Sequence, residues 1–334
     1  MDGNLWQTRK VLVTGAAGFV GSWLTQALVE RGATVTAVLR DEPEPNNFQL
    51  LGLASRVNVV QGSVTDCAFV ERVFNEYEVD TCFHLAAQAI VGAANRSPLS
   101  TFESNIRGTW TVLEACRTGG LVERVVVASS DKAYGSQPRL PYTEEMPLLG
   151  ANPYDASKAC TDILARSYHH TFSLPVAVAR CANIYGGGDL NFSRLVPGTI
   201  QSVLAGERPI IRSDGTPVRD YLHVDDAVSA YLLLAEQLER EDVCGGAFNF
   251  GANNPVSALE LVQRILDVCG AAHLVPDIRG AGKLTNEIDE QYLDSRKATR
   301  VLGWVPAVSL EDGLRRTVEW YQGILARPAT VGVK

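Results

Sequence analysis

The chain has 334 residues, with 38 acidic against 30 basic side chains for a net charge of −8, and 46% of it is hydrophobic. That length suits about two domains, or one large domain with an added lobe, and the apolar content excludes a disordered chain. The acidic balance without a basic run argues against a nucleic-acid surface, and no apolar stretch reaches the ~18 residues of a membrane span.

The opening Met1–Lys10 segment holds no apolar signal-peptide core, so a cytoplasmic chain is expected. Short β-rich runs predict strands at Lys10–Thr14, Thr34–Leu39, Val57–Gln61, Thr81–Leu85, Arg124–Ser129 and Val176–Ala179. Helical patterns fall between them at Phe19–Arg31, Asp66–Glu76, Thr101–Arg117 and Pro153–Thr171. Continuous apolar strands alternating with amphipathic helices predict an α/β fold, a doubly wound parallel sheet of the Rossmann type covered on both faces. Ligand is then expected beyond the carboxyl ends of the strands. After about Arg180 the texture changes, with a Gly186-Gly187-Gly188-Asp189 loop and prolines at 197, 209, 217 and 255. Late helices are predicted at Ser257–Cys269 and Leu310–Leu325, the latter with Leu314, Val318, Tyr321 and Leu325 on one face. The seven cysteines (Cys67, Cys82, Cys116, Cys160, Cys181, Cys244, Cys269) are scattered without C-x-x-C spacing. They read as reduced core residues, and no metal site is expected.

Between the first strand and first helix lies Gly15-Ala16-Ala17-Gly18-Phe19-Val20-Gly21. Glycines there permit a tight turn and close approach to a pyrophosphate, while the helix N-terminus supplies N–H donors and a positive dipole. The spacing is G-x-x-G-x-x-G, and the position after the first strand of a βαβ unit is what gives it weight. This predicts a dinucleotide-binding domain over residues 1–180, with return of 219–251, and a substrate-binding lobe mainly within 181–330. At the end of the second strand, Asp41 would suit the ribose hydroxyls of NAD and Arg40 the 2′-phosphate of NADP. The alternative is that both are solvated residues leading into a proline loop.

Tyr154 and Lys158 stand at i and i+4 on one helix face. A neighbouring ammonium favours the phenolate of a tyrosine, which otherwise titrates near ~10, and makes it a usable base. Ser129-Ser130-Asp131-Lys132 ends a strand that delivers side chains to the same crevice.

With these motifs the sequence closely resembles the extended short-chain dehydrogenase/reductase family that acts on nucleotide sugars. The resemblance covers essentially the whole chain. It rests on Thr14–Gly21 (TGAAGFVG), His84–Gln88 (HLAAQ), Asn105–Thr109 (NIRGT), Ser129–Gly135 (SSDKAYG) and Tyr154–Lys158 (YDASK). Further on it rests on Arg180–Asp189 (RCANIYGGGD), Arg219–Asp226 (RDYLHVDD) and Asp294–Pro306 (DSRKATRVLGWVP). The resemblance implies a catalytic Ser130 that hydrogen-bonds the sugar 4-hydroxyl, a Tyr154 that removes its proton, and a Lys158 that holds the nicotinamide ribose. It implies an NAD (or NADP) cofactor held by Gly15, Gly18, Phe19, Val20, Arg40, Asp41, Ala86, Tyr154 and Lys158. It also implies substrate contacts from Gln88, Asn183, Arg194 and Arg219, the arginines to a nucleoside diphosphate. A homodimer through Thr101–Arg117 and Pro153–Thr171 is expected by the same likeness.

Within the family the discriminating residues are Asp131 and Lys132. An acid directly after the strand-end Ser resembles the 4,6-dehydratases, and Ser-Asp-Lys followed by A-x-N-I-x-G-G-G-D is most similar to CDP-glucose 4,6-dehydratases; a GDP-mannose type is the near alternative. Asp131 would protonate the departing C6 hydroxyl, and Lys132 would either assist at C5 or organise Asp131. The structural alternative for the pair is a turn cap and an exposed ion pair. A nucleotide-sugar 4-epimerase, which needs only Ser130, Tyr154 and Lys158, is the second functional reading. His84 is expected to be a packed core histidine, and Trp304 a buried anchor.

Overall fold

The computed structural model describes residues 4–40, 45–280 and 288–325. Seven parallel strands form the central sheet: β1 (Lys10–Thr14), β2 (Thr34–Leu39), β3 (Asn58–Gln61), β4 (Thr81–His84), β5 (Arg124–Ser130), β6 (Val176–Cys181) and β7 (Ala247–Phe250). Their spatial order is β7-β6-β5-β4-β1-β2-β3, so the winding reverses between β1 and β4 and opens a crevice at their carboxyl ends. The doubly wound fold is therefore as expected.

Strand alternation explains why both faces are covered. Val11 and Val13 of β1, Val126 and Ala128 of β5, and Ala177 and Ala179 of β6 enter one core. Leu12, Val125, Val127, Val176 and Val178 enter the other. These three strands are thus apolar on both sides, the signature of a parallel sheet sandwiched by helices.

The longer helices are α1 (Phe19–Glu30), α2 (Cys67–Glu76), α3 (Gly108–Thr118), α4 (Pro153–Phe172), α5 (Leu195–Leu204), α6 (Val224–Glu236), α7 (Ala258–Val268) and α8 (Leu310–Leu325). Asp66 does not begin α2 but caps it, its carboxylate accepting from Phe69 N at 3.1 Å. α4 starts with Pro153 in its first turn, where the missing N–H costs nothing.

The continuous helix expected over Thr101–Arg117 is instead three pieces. Pro98–Phe102 leads into a π-helical turn at Glu103–Arg107, and α3 follows. The cause is Asn105, buried in that turn. Its side chain accepts from Gln88 N at 2.6 Å and donates to Gln88 O at 3.2 Å and Ser157 Oγ at 2.8 Å. The hydroxyls of Thr109 and Thr161 take its main-chain carbonyl, at 2.5 and 3.1 Å.

Beyond β6 the lobe is built from α5, α7 and α8 around Tyr185, Ile200, Leu261, Ile265, Leu314 and Val318. Three short strands tie it together: Val218–Arg219 pairs antiparallel with Val256–Ser257 and parallel with Glu290–Gln291. Trp304 is buried, stacks edge-on against Phe250 at 5.0 Å and donates to Ser229 Oγ at 3.1 Å, as its anchoring role predicts. Leu325 ends α8, but its side chain lies outside the described residues. The cysteines are free; Cys82, Cys116 and Cys181 are buried as expected, but Cys67 is exposed at the start of α2, which corrects its reading as a core residue.

Candidate active site

The glycine turn leaves β1 at Gly15, whose φ of +72° suits glycine. A Cβ on Gly15 would lie 2.8 Å from Ala86 N, and one on Gly21 only 2.0 Å from Gly15 O. The turn thus packs against the β4 loop with no room for side chains. Thr14 Oγ1 fixes that loop, accepting from Leu85 N and Ala86 N at 3.2 Å each. Gly18 caps α1 without a side-chain hydrogen bond, and the first turn carries no acid. An N-terminus with neither a side-chain cap nor a repelling charge suits an anionic pyrophosphate, so the chemistry of this turn fits a dinucleotide.

His84 is the packed histidine expected. Its Nδ1 meets Thr14 Oγ1 at 2.9 Å and its Nε2 meets Thr109 Oγ1 at 3.1 Å. Burial, reinforced by the Lys158 charge, pushes its pKa down to about 3 and keeps it neutral.

β5 delivers Ser130, Asp131 and Lys132 to the crevice, and α4 brings Tyr154 and Lys158 opposite. Lys158 is 5% exposed and donates to Ala128 O at 2.8 Å; burial drives its pKa down to about 8. The Tyr154 phenol lies within hydrogen-bonding reach of the Ser130 hydroxyl. Burial first, then the Asp131 charge, push its pKa up to about 12, against the pull of Ser130 and Arg194.

Asp131 is only 2% exposed. Its Oδ1 accepts from Ser130 Oγ at 2.9 Å, while its Oδ2 is buried without a partner. Burial raises its pKa, opposed by Lys132, the Ser130 hydroxyl and Arg219. The exposed turn-capping pair considered from sequence is thereby excluded. Lys132 is half-buried, and its ammonium donates to Gln291 Oε1.

Of the residues expected to hold substrate, Arg194 and Arg219 stand close enough to this cluster for their charges to act on Tyr154 and Asp131 respectively. Arg194 precedes α5 and reaches Asp189 Oδ2 at 2.9 Å. Arg219 is buried, its guanidinium donating to the main-chain carbonyls of Val218, Asp289 and Ile288 at 2.8, 3.1 and 2.6 Å. Asn183 keeps a buried amide nitrogen without a partner. Gln88 Oε1 accepts from Ile90 N at 3.1 Å. Phe19 and Val20 are half-buried at the start of α1. Arg40 is exposed and donates to Ser104 Oγ at 3.4 Å; Asp41 lies outside the described residues. Among the described residues no three His, Cys, Asp or Glu side chains are placed to hold a metal.

One contributor, Gln291, and the role of another, Asn105, escaped the sequence reading. Asn105 ties α4 to the β4 loop through Ser157 and Gln88, yet the helical pattern around it gives no sign of a π turn. Gln291 belongs to a two-residue strand outside any recognised motif.

A family model described as GDP-mannose 4,6 dehydratase matches residues 12–317. The chain is 30% identical to a CDP-glucose 4,6-dehydratase of Salmonella typhimurium, covering 96% of this chain and 93% of that protein. It is 34% identical to a dTDP-glucose 4,6-dehydratase of Streptomyces griseus, covering 94% of each. Among solved structures, a dTDP-glucose 4,6-dehydratase of Streptomyces venezuelae with NAD bound has a TM-score of 0.85 at 32% identity, over 94% of this chain and 97% of that one. A UDP-glucose 4-epimerase of Thermotoga maritima has a TM-score of 0.85 at 30% identity, over 94% and 99%. The likeness runs from the first sheet strand to the last helix, and the chain belongs to the GDP-mannose 4,6-dehydratase family of extended short-chain dehydrogenases/reductases.

Proposed function

We propose that the chain is a nucleotide-diphosphate-hexose 4,6-dehydratase of the CDP-glucose or GDP-mannose type, forming a 4-keto-6-deoxy sugar. The observation that carries this reading is Asp131, a buried carboxyl with one oxygen unpartnered beside the Ser130/Tyr154 pair. Burial favours its protonated form, which suits an acid that protonates a leaving hydroxyl. A 4-epimerase would have no use for a carboxyl held this way.

The cofactor is NAD, held by the Gly15–Val20 turn, Ala86, Tyr154 and Lys158. Bound there, NAD would supply the hydride chemistry, as acceptor from C4 and donor to C6. Ser130 orients the sugar 4-hydroxyl and Tyr154 removes its proton. Tyr154 is a poor base at about 12, so added positive charge beside it is needed to bring the phenolate into range; Lys158, at about 8, is an ammonium at neutral pH. With C4 a ketone, the C5 proton is acidic; Lys132 stands beside Asp131 to serve that side of the sugar, while Asp131 gives its proton to the C6 oxygen and water leaves. Arg194, Arg219 and Asn183 hold the nucleoside diphosphate, and Gln88 lines the sugar pocket. In this reading residues 1–180 with 219–251 bind the cofactor and the lobe mainly within 181–330 captures the substrate.

A homodimer is part of the reading. Leu99, Phe102, Trp110 and Ile163 are exposed apolar side chains on the Pro98–Phe102 segment, α3 and α4, and such a cluster calls for burial against another surface.

Incubation with CDP-, GDP-, UDP- and dTDP-hexoses, followed by mass spectrometry, tests the activity. Loss of one water from one of them is expected; an isomeric sugar without water loss would hand the site to an epimerase. Asp131→Asn should still oxidise C4 but stall before elimination, and dehydration at the wild-type rate would remove Asp131 from the mechanism.

A further inference from the structure

Gln291 is wholly buried, at 0% exposure, on the Glu290–Gln291 strand. It stands in register with Arg219 on the neighbouring strand. Its Oε1 accepts from the Lys132 ammonium, which fixes the amide orientation, because an ammonium offers donors only. The other end, Nε2, is then buried with no acceptor. An unmet buried donor is destabilising, whereas a leucine would fill the same volume with no such penalty. A side chain retained for packing alone is therefore a poor account of this position.

We propose that Gln291 is a positioning residue of the dehydration: its amide oxygen tethers Lys132 Nζ beside Asp131, and its free amide N–H₂ waits for an oxygen of the sugar. The tether works in both protonation states of Lys132. The ammonium donates one N–H to Gln291, and the neutral amine can still donate one while its lone pair turns toward the C5 proton. In that step the C5–H bond breaks, the proton passes to the amine and the electron pair forms the C5–C6 double bond as the hydroxyl leaves C6 with the Asp131 proton. The tether narrows the rotamers open to this long side chain toward those that place nitrogen at C5.

The inference rests on the dehydratase reading for its chemistry but not for all of its test. The first measurement is independent of turnover: protein labelled with [13Cε]lysine carries only six lysines, and the Lys132 signal is assigned by its loss in Lys132→Met. Its titration should move down in Gln291→Leu, which removes the acceptor, and up in Gln291→Glu, which adds a charge. The second measurement is deuterium uptake at C5 from D₂O. In Gln291→Leu we expect C5 exchange to fall more than tenfold further than C4 oxidation does, and in Gln291→Glu the acid limb of the pH–rate profile shifted to higher pH. An unchanged Lys132 titration in both variants, or equal loss of oxidation and exchange, would overturn the proposal. Absence of dehydration in the wild type would instead overturn the dehydratase reading, and the titration would still decide the tether.

Discussion

Lys158→Met should make the protein more stable at neutral pH while ending turnover. The lysine is 5% exposed, and burial lowers its pKa from the usual 10.5 to about 8. At about 1.36 kcal/mol per unit, holding the charge in the folded state costs about 3 kcal/mol. A group whose pKa is depressed on folding carries this cost at pH values below 8, and stability rises as pH climbs from 8 toward 10.5, because the unfolded chain then binds the proton the folded chain has lost. Methionine removes the cost but also the donor to Ala128 O, worth about 1 kcal/mol. The expected gain is about 2 kcal/mol at pH 7, or about 4 °C at about 2 °C per kcal/mol for a chain of this size. By pH 9.5 the remaining charge cost is about 1 kcal/mol, and the two proteins should melt together. Thermal unfolding of cofactor-free wild type and variant from pH 6.5 to 9.5 measures this. A variant that melts below wild type at pH 7, or a gap that does not move with pH, would refute the reasoning.

Asp162→Ala removes the carboxylate that Arg180 grips through Nε and Nη2 at 2.7 and 2.9 Å. Arg180 is 1% exposed, so the stranded charge should cost about 3–5 kcal/mol in chemical unfolding, and the apolar pair Asp162→Leu with Arg180→Met should recover most of it. No recovery in the double variant would show that the pair is needed for more than its own charge balance. If the proposed homodimer forms, Trp110→Glu should convert it to monomer in light scattering; a wild type that is already monomeric would refute the proposed dimer face.

The strands of the first half were legible to within a residue or two because each is a short β-rich run between helical patterns, and β1 and β5 are apolar on both sides. The pair Tyr154/Lys158 was legible because i and i+4 share a helix face whatever the surroundings. The π turn was not: Glu103–Arg107 has ordinary helical composition, and the extra residue in the turn is stabilised by partners far along the chain, Gln88 and Ser157. Gln291 was invisible for a related reason, since a two-residue strand has no periodicity to read. Asp131 could be named from its place after Ser130, but its burial, 2% exposed, has no signature in the local sequence. The arginines show the reverse case. Arg219 falls at the expected place, yet its guanidinium also binds the main chain of 288–289, a link between two lobe strands that a one-dimensional pattern does not express.

The edge strand β7 has a consequence for how the protein is made. It pairs with β6 in register from Ala247 against Val178 to Phe250 against Cys181, but 65 residues separate the end of one from the start of the other. At roughly 5–20 residues per second, a ribosome leaves β6 without its outer neighbour for about 3–13 s. Throughout that interval its N–H and C=O groups form an open template, the kind of edge that recruits foreign strands. Asn249 is also missing then, so the Tyr134 hydroxyl lacks the acceptor it meets at 2.7 Å in the finished fold. The sheet that carries Ser130 and Asp131 is therefore completed late in synthesis, and nascent chains halted before residue 247 should depend on chaperones to stay soluble.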